Sequence, residues 1–211
     1  MNGHIIQTVY IVDDDAAVRD SIAELVASVG MRAEPYSSGQ AFLDAYGPKH
    51  PCCLVLDVRM PEMSGLVLQQ RLQARGATLP VIVLTGHGDV PMAVDAMKAG
   101  AVDFLQKPYR EQALLDSINT ALAIDSRCSS LSETQDQLAR CVSTLTPRER
   151  EIFDHLLSGK TSKQMATALD ISPRTAEVHR RNVLRKCEVD STKALLSLLG
   201  PTIQAASQDN A

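Results

Sequence analysis

Residues 52–61 read Cys52-Cys53-Leu54-Val55-Leu56-Asp57-Val58-Arg59-Met60-Pro61. Five apolar residues in succession, without polar alternation, predict a strand over Cys52–Leu56 that is buried on both faces, as central strands of parallel sheets are. Cys52 and Cys53 enter it as small hydrophobes. The strand runs straight into a lone carboxylate, Asp57. On either side the pattern recurs. Thr8–Val12, Met31–Tyr36, Pro80–Thr85 and Val102–Leu105 read as further strands, with helical periodicity at 16–29, 38–46, 64–75 and 89–99 and a fifth helix starting near 109. Gly30, Gly76 and Gly100 stand where helix C-caps are expected. Five βα units in this order predict an α/β fold: a five-stranded, doubly wound parallel sheet with helices on both faces over residues 1–124.

Beyond Leu122 the texture changes. Residues 125–144 are polar and rich in Ser and Gln, and Ile124, Leu131, Leu138 and Leu145 recur every seven residues. We read 125–145 as a helical linker, either extending the fifth helix as a coiled coil or standing as a solvated single helix. From 146 onward no strand pattern occurs. Thr146-Pro-Arg-Glu149 and Thr161-Ser-Lys-Gln164 fit capping boxes, and Ser172-Pro173 sets a cap residue before a first-turn proline. Helices near 147–158, 162–169, 173–187 and 191–199 follow, a small all-α helix-turn-helix domain over 146–211.

Composition bounds the function. The chain has 211 residues, 45% of them apolar and 22% charged, enough for two small packed domains and too little charge for a disordered chain. The net charge of −4 argues against a general nucleic-acid coat, but it is unevenly spread: residues 1–124 carry −5, 125–145 carry −1 and 146–211 carry +2. Within 172–187, five basic residues face one acidic residue. Basic charge is thus concentrated on one helix. The five cysteines are odd in number and form no C-x-x-C pair, which argues against a disulfide framework and a structural zinc site. Neither a secretory leader nor an 18-residue apolar span is found, which predicts a soluble protein of a reducing compartment.

Ligands of open α/β sheets bind beyond the carboxyl ends of the strands. Here those ends carry Asp13-Asp14-Asp15, Asp57, Thr85 and Lys107-Pro108. Carboxylates converging without His or Cys partners are hard oxygen ligands suited to magnesium. Asp57 would be the nucleophile, Lys107 would neutralise a phosphate oxygen and Thr85 would hydrogen-bond another. Singly, each has a plainer reading: Asp14 or Asp15 as the N-cap of the first helix, Asp57 as a loop carboxylate, Lys107 as a surface lysine. Their joint placement at four strand ends favours the chemical one.

These motifs, with Ser64-Gly65 and Thr85-Gly86, strongly resemble the receiver domain of two-component response regulators over residues 7–124. The resemblance implies that Asp57 accepts a phosphoryl group from a sensor histidine kinase. It implies magnesium ligation by Asp14, Asp57 and the backbone carbonyl of Arg59, with Asp13 acting through water. It further implies a cis Lys107–Pro108 peptide and a switch pair of Thr85 and Phe104, although an aromatic on a strand also reads simply as core. Arg59 and His87 lie two residues beyond Asp57 and Thr85, where they can overhang the site. Arg59 there could pair with an acidic residue and impede entry, whereas His87 also reads as a polar loop residue.

On the basic helix, Ala176, Val183, Leu184 and Cys187 can face inward, while Arg174, Glu177, Val178 and Arg181 share one outer stripe. Such a stripe can enter a major groove, with Thr175, Arg180, Arg185 and Lys186 left for phosphates. The plainer reading is a solvated basic face. Leu145–Ile152, Ser158–Ala166 and Ile171–Arg180 resemble the LuxR-type helix-turn-helix, and the whole chain is similar to FixJ-type regulators. That similarity makes Glu177, Val178 and Arg181 the base readers. Ala176, usually a larger aliphatic residue in the family, and the polar tail after Thr202 depart from the pattern. The implied partners are the kinase, double-stranded promoter DNA and RNA polymerase, with a homodimer on phosphorylation, no membrane, and a bacterial cytoplasmic location.

The same residues admit four rival readings. An aspartyl phosphatase wants a second carboxylate two residues after the nucleophile, where Arg59 stands. A P-loop before Gly159-Lys160-Thr161 needs glycine where Asp154 stands, and a preceding strand. A flavodoxin-like cofactor site would meet an acidic first loop that repels phosphate. A receiver-like interaction module needing no phosphate has no use for the acidic set, and a phosphorylation assay separates it.

Overall fold

The computed structural model describes residues 6–86 and 90–197. The chain divides into two compact units, Met1–Ser129 and Ser130–Ala211. In the first, β1 (Thr8–Val12), α1 (Ala16–Ser28), β2 (Arg32–Tyr36), α2 (Gly39–Ala45), β3 (Cys52–Asp57), α3 (Gly65–Ala74), β4 (Val81–Thr85), α4 (Val90–Lys98) and β5 (Asp103–Gln106) alternate, and α5 (Glu111–Thr144) follows. All strand pairs are parallel, in the order β2-β1-β3-β4-β5. β1, β3 and β4 are buried throughout, as their unbroken apolar runs require. β2, with Pro35, is a partly exposed edge.

Period-two alternation divides the buried residues between two layers. Val9, Ile11, Cys53, Val55, Ile82 and Leu84 pack with Ile22 and Val26 of α1 and Leu114 and Ile118 of α5. Tyr10, Val12, Cys52, Leu54, Leu56 and Val83 pack with Phe42 of α2, Leu68 and Leu72 of α3 and Ala96 of α4. The strand order reverses between β1 and β3, so the crevice of an open sheet falls between the ends that carry Asp13 and Asp57.

The second unit holds the C-terminal part of α5, then α6 (Pro147–Leu157), α7 (Ser162–Ala168), α8 (Pro173–Lys186) and a helical stretch at 192–197. Both capping boxes are formed, and Ser172 caps α8 with Pro173 in the first turn. Residues 125–144 are indeed helical, continuous with α5. The seven-residue series is split, however. Leu138, Val142 and Leu145 pack beside the buried Cys141 in the second unit's core, whereas Ile124 and Leu131 are exposed. A seam open to another chain is thereby reduced to those two residues. Cys141 and Cys187 are joined by a disulfide, which the odd cysteine count and the spacing gave no reason to expect. The two lie 46 residues apart and only helix packing brings them together. His87, the first residue of the expected 89–99 helix, residues 198–199 of the last expected helix, and the tail after Thr202 lie outside the described residues.

Candidate functional site

The acidic residues converge through strand register. Asp13 follows β1 and Asp57 closes the adjacent β3, both buried. Lys107, just after the edge strand β5, reaches across β4: its Nζ donates to Asp13 Oδ2 at 2.6 Å and to Asp57 Oδ1 at 2.7 Å. Its backbone N–H donates to Thr85 O at 2.7 Å, and the Lys107–Pro108 peptide is cis. The second oxygen of Asp57 accepts the Arg59 N–H at 2.7 Å.

The electrostatics are set by burial. Desolvation raises the Asp57 pKa above the ordinary carboxylate value, outweighing the hydrogen bond from Lys107, and the Asp13 charge adds to the rise. Lys107 is likewise desolvated, but its hydrogen bonds to Asp13 and Asp57 prevail and raise its pKa. Two buried carboxylates therefore share one ammonium, leaving negative charge to be balanced. Asp14 is exposed beside them, and Asp15 caps α1 by accepting the Ala17 N–H at 2.9 Å. The donor set of Asp13, Asp14, Asp57 and the Arg59 carbonyl consists of hard oxygens, which fits magnesium.

Thr85 is fully buried at the end of β4, with its hydroxyl 3.9 Å from Met92 Sδ of α4. Phe104 on β5 is half-buried and packs against the α2–α3–α4 layer. Arg59 is exposed and, among the described residues, makes no ion pair.

One contributor, Arg19, escaped the motif reading, and the role of a second, Gly65, becomes clear only in three dimensions. Arg19 Nη1 donates to the Asp13 carbonyl at 2.8 Å and so holds the acidic loop. Its only sequence signal is a cation placed early in the helix that follows three aspartates. Gly65 was read as part of a motif, and its reason is steric. A Cβ there would stand 2.2 Å from the Asp57 carbonyl oxygen, while the Gly65 N–H donates to Val58 O at 2.9 Å. Only glycine lets α3 begin against the backbone that carries Asp57.

In the second unit, Ala176, Val183 and Leu184 of α8 and its C-cap residue Cys187 are buried. Arg174, Thr175, Val178, Arg181 and Arg185 are exposed, Val178 to 50%. Glu177 is tied down: its carboxylate accepts from Ser162 Oγ of α7 at 2.6 Å and from Arg180 Nη1 at 3.2 Å, and these bonds, Ser162 first, lower its pKa. Arg180 also donates to Thr192 Oγ1 at 3.3 Å. Lys186 is engaged inside the unit, where it donates to Thr144 O at 2.8 Å and to Glu149 Oε2 at 2.7 Å. The Lys186 bond, with the cap bonds to Thr146, holds Glu149 down to a pKa of about 2. Lys186 thus anchors α8 to the capping box of α6.

Fold and site define a receiver-type sheet domain followed by a helix-turn-helix unit. Residues 9–119 match the family model described as the response regulator receiver domain, and residues 143–199 match that of the bacterial regulatory proteins of the luxR family. The chain is similar to the response regulator protein TmoT of Ectopseudomonas mendocina, 45% identical over 188 residues, 89% of this chain and 86% of that one. It is 42% identical to the transcriptional regulatory protein FixJ of Bradyrhizobium diazoefficiens over 93% of this chain and 94% of that protein. The solved structure of the response regulator StyR superimposes with a TM-score of 0.78 at 42% identity, covering 93% of this chain and 99% of that chain. The chain belongs to the response regulators that join a receiver domain to a LuxR-type DNA-binding domain, and is a transcription regulator.

Proposed function

We propose that this regulator takes a phosphoryl group from a sensor histidine kinase onto Asp57, and that the modified form dimerises and binds promoter DNA through α8. The division of labour is 1–124 for reception, 125–145 as linker and 146–211 for DNA. The observation that carries the reading is the single Lys107 ammonium bridging Asp13 and Asp57 at the sheet's switch point. A carboxylate oxygen of Asp57 attacks phosphorus, the phosphorus–nitrogen bond of the phosphohistidine breaks, and the imidazole leaves with its electron pair and takes up a proton. Lys107 is placed to neutralise a phosphoryl oxygen, and the Arg59 N–H holds Asp57 in position. Asp14, Asp57 and the Arg59 carbonyl would hold magnesium, with Asp13 acting through water, and the bound ion would screen the repulsion between carboxylate and phosphoryl group.

The Thr85 hydroxyl closes β4, the strand paired with β3, which ends at Asp57. Its movement toward an acylphosphate oxygen vacates volume on the Phe104 side of the sheet. The face made by α4, β5 and α5 changes with it. Val94 and Met97 stand on α4 with 42% and 49% exposure, apolar surface that a second copy would cover. Arg174, Glu177, Val178 and Arg181 read bases, and Thr175, Arg180 and Arg185 hold phosphates. Lys186 keeps its internal bonds in this scheme. Asp57→Asn tests the reading: incubated with a small-molecule phosphodonor and magnesium, the variant should fold normally and incorporate no phosphate. Incorporation at the wild-type level would remove Asp57 from its role.

A further inference from the structure

At the end of the sheet remote from Asp57, a second chemically distinct cluster occurs. Cys52 opens β3, His50 lies two residues before it, and Asp125 reaches them from α5. The Asp125 carboxylate is fully buried. Its Oδ2 accepts the Cys52 N–H at 2.8 Å and stands 2.7 Å from His50 Nδ1, while Cys52 Sγ is 4.0 Å from that same nitrogen. One donor atom from each residue falls within a span of 4.8 Å. The other oxygen, Asp125 Oδ1, is buried with no hydrogen-bond partner among the described residues. An orphaned buried acceptor costs about 1–3 kcal/mol, so its retention calls for a ligand. Phosphoryl transfer at Asp57 makes no use of any of these groups.

We propose that His50, Cys52 and Asp125 form a binding site for a borderline divalent transition-metal ion, zinc in the first instance, with the fourth position open to solvent. An imidazole nitrogen, a thiolate and a carboxylate oxygen make a mixed set that suits zinc and is poorly matched to magnesium or calcium. The charge closes as well: a thiolate and a carboxylate with a neutral imidazole cancel a dication, the state a buried site favours. On binding, the Cys52 S–H bond gives its proton to solvent and the sulfur binds the metal; no oxidant or reductant is involved.

Tetrahedral zinc sets its donor atoms roughly 3.3–3.7 Å apart. The sulfur–nitrogen pair at 4.0 Å and the widest pair within the 4.8 Å span have to draw in, and the nitrogen–carboxylate pair at 2.7 Å has to open. His50 can provide the opening, because its side chain is 35% exposed. It lines a groove of about 370 Å³ with Tyr46, Pro48 and Arg75, so the imidazole side of the cluster faces solvent. Spacing in the sequence hid the site, since Asp125 is 73 residues from Cys52.

The test uses the reduced full-length chain, titrated anaerobically with cobalt(II) under excess magnesium to keep the Asp57 site occupied. A thiolate-to-cobalt charge-transfer band saturating at one equivalent, and displaced by one equivalent of zinc, is expected. Cys52→Ser should abolish the band, and Cys128→Ser and Cys141→Ser should leave it. His50→Ala, a change at an exposed side chain that spares the core, should weaken binding more than about tenfold, since even an outer-shell partner is worth that much. Absence of the band, its survival in Cys52→Ser, its loss in Cys141→Ser, or unchanged affinity in His50→Ala would each overturn the proposal.

Discussion

Gly65 shows how tightly single residues are constrained around Asp57, the proposed phosphoacceptor. Its missing Cβ is the space in which the Asp57 carbonyl sits. Gly65→Ala drives a methyl group into backbone rather than into a side chain that can swing away. The expected cost is about 3 kcal/mol, the upper end of ordinary overpacking. Urea denaturation of the full-length chain should show a lowered midpoint for the first unit, together with slower phosphate incorporation. An unchanged midpoint would mean that α3 shifts without penalty. At this scale the sequence was partly legible. Asp13, Asp57, Thr85 and Lys107 stood out because each follows or closes a recognisable strand, so pattern alone brought them to one edge. Arg19, the Asp125 cluster and the Cys141–Cys187 bridge were not legible. Their contacts depend on side-chain reach and helix packing, neither of which leaves a periodic trace.

At the scale of elements, α8 carries the DNA proposal. Its inward residues were readable from 3.6-residue periodicity, because an amphipathic helix against a small core permits few choices. What periodicity does not show is which polar side chains are already bonded. Lys186 is bonded to the α6 cap, and Glu177 accepts from Ser162 of α7 while its side chain stays 43% exposed. Arg181 and Arg185 are exposed and provide the sharper contrast. Arg181→Ala should cost about 1–3 kcal/mol on a specific operator and relax preference at one position. Arg185→Ala should weaken all sequences alike and flatten the salt dependence. Binding titrations on specific and scrambled duplexes across a salt series distinguish these outcomes. Equal losses on both duplexes for Arg181→Ala would make it a phosphate contact. The linker shows the same limit of pattern. A seven-residue apolar series was visible, but its division between core-bound Leu138 and Leu145 and exposed Ile124 and Leu131 follows from packing.

At the scale of the whole molecule, the account rests on coupling between a buried charge site and an exposed apolar face. Asp57 and Lys107 define the first, and Val94 and Met97 on α4 mark the second, with Thr85 and Phe104 between them in the sheet. With only Ile124 and Leu131 of the linker series exposed, the α4 face and not a constitutive coiled coil is the surface expected to join two copies. Two α8 helices held by a twofold dimer then match half-sites on successive turns of DNA. Sedimentation velocity of the full-length chain, with and without magnesium and beryllofluoride as a phosphoryl mimic, tests this most directly. The account predicts a mostly monomeric resting form that becomes a dimer when the mimic is added. A dimer under both conditions, or a monomer under both, would contradict it.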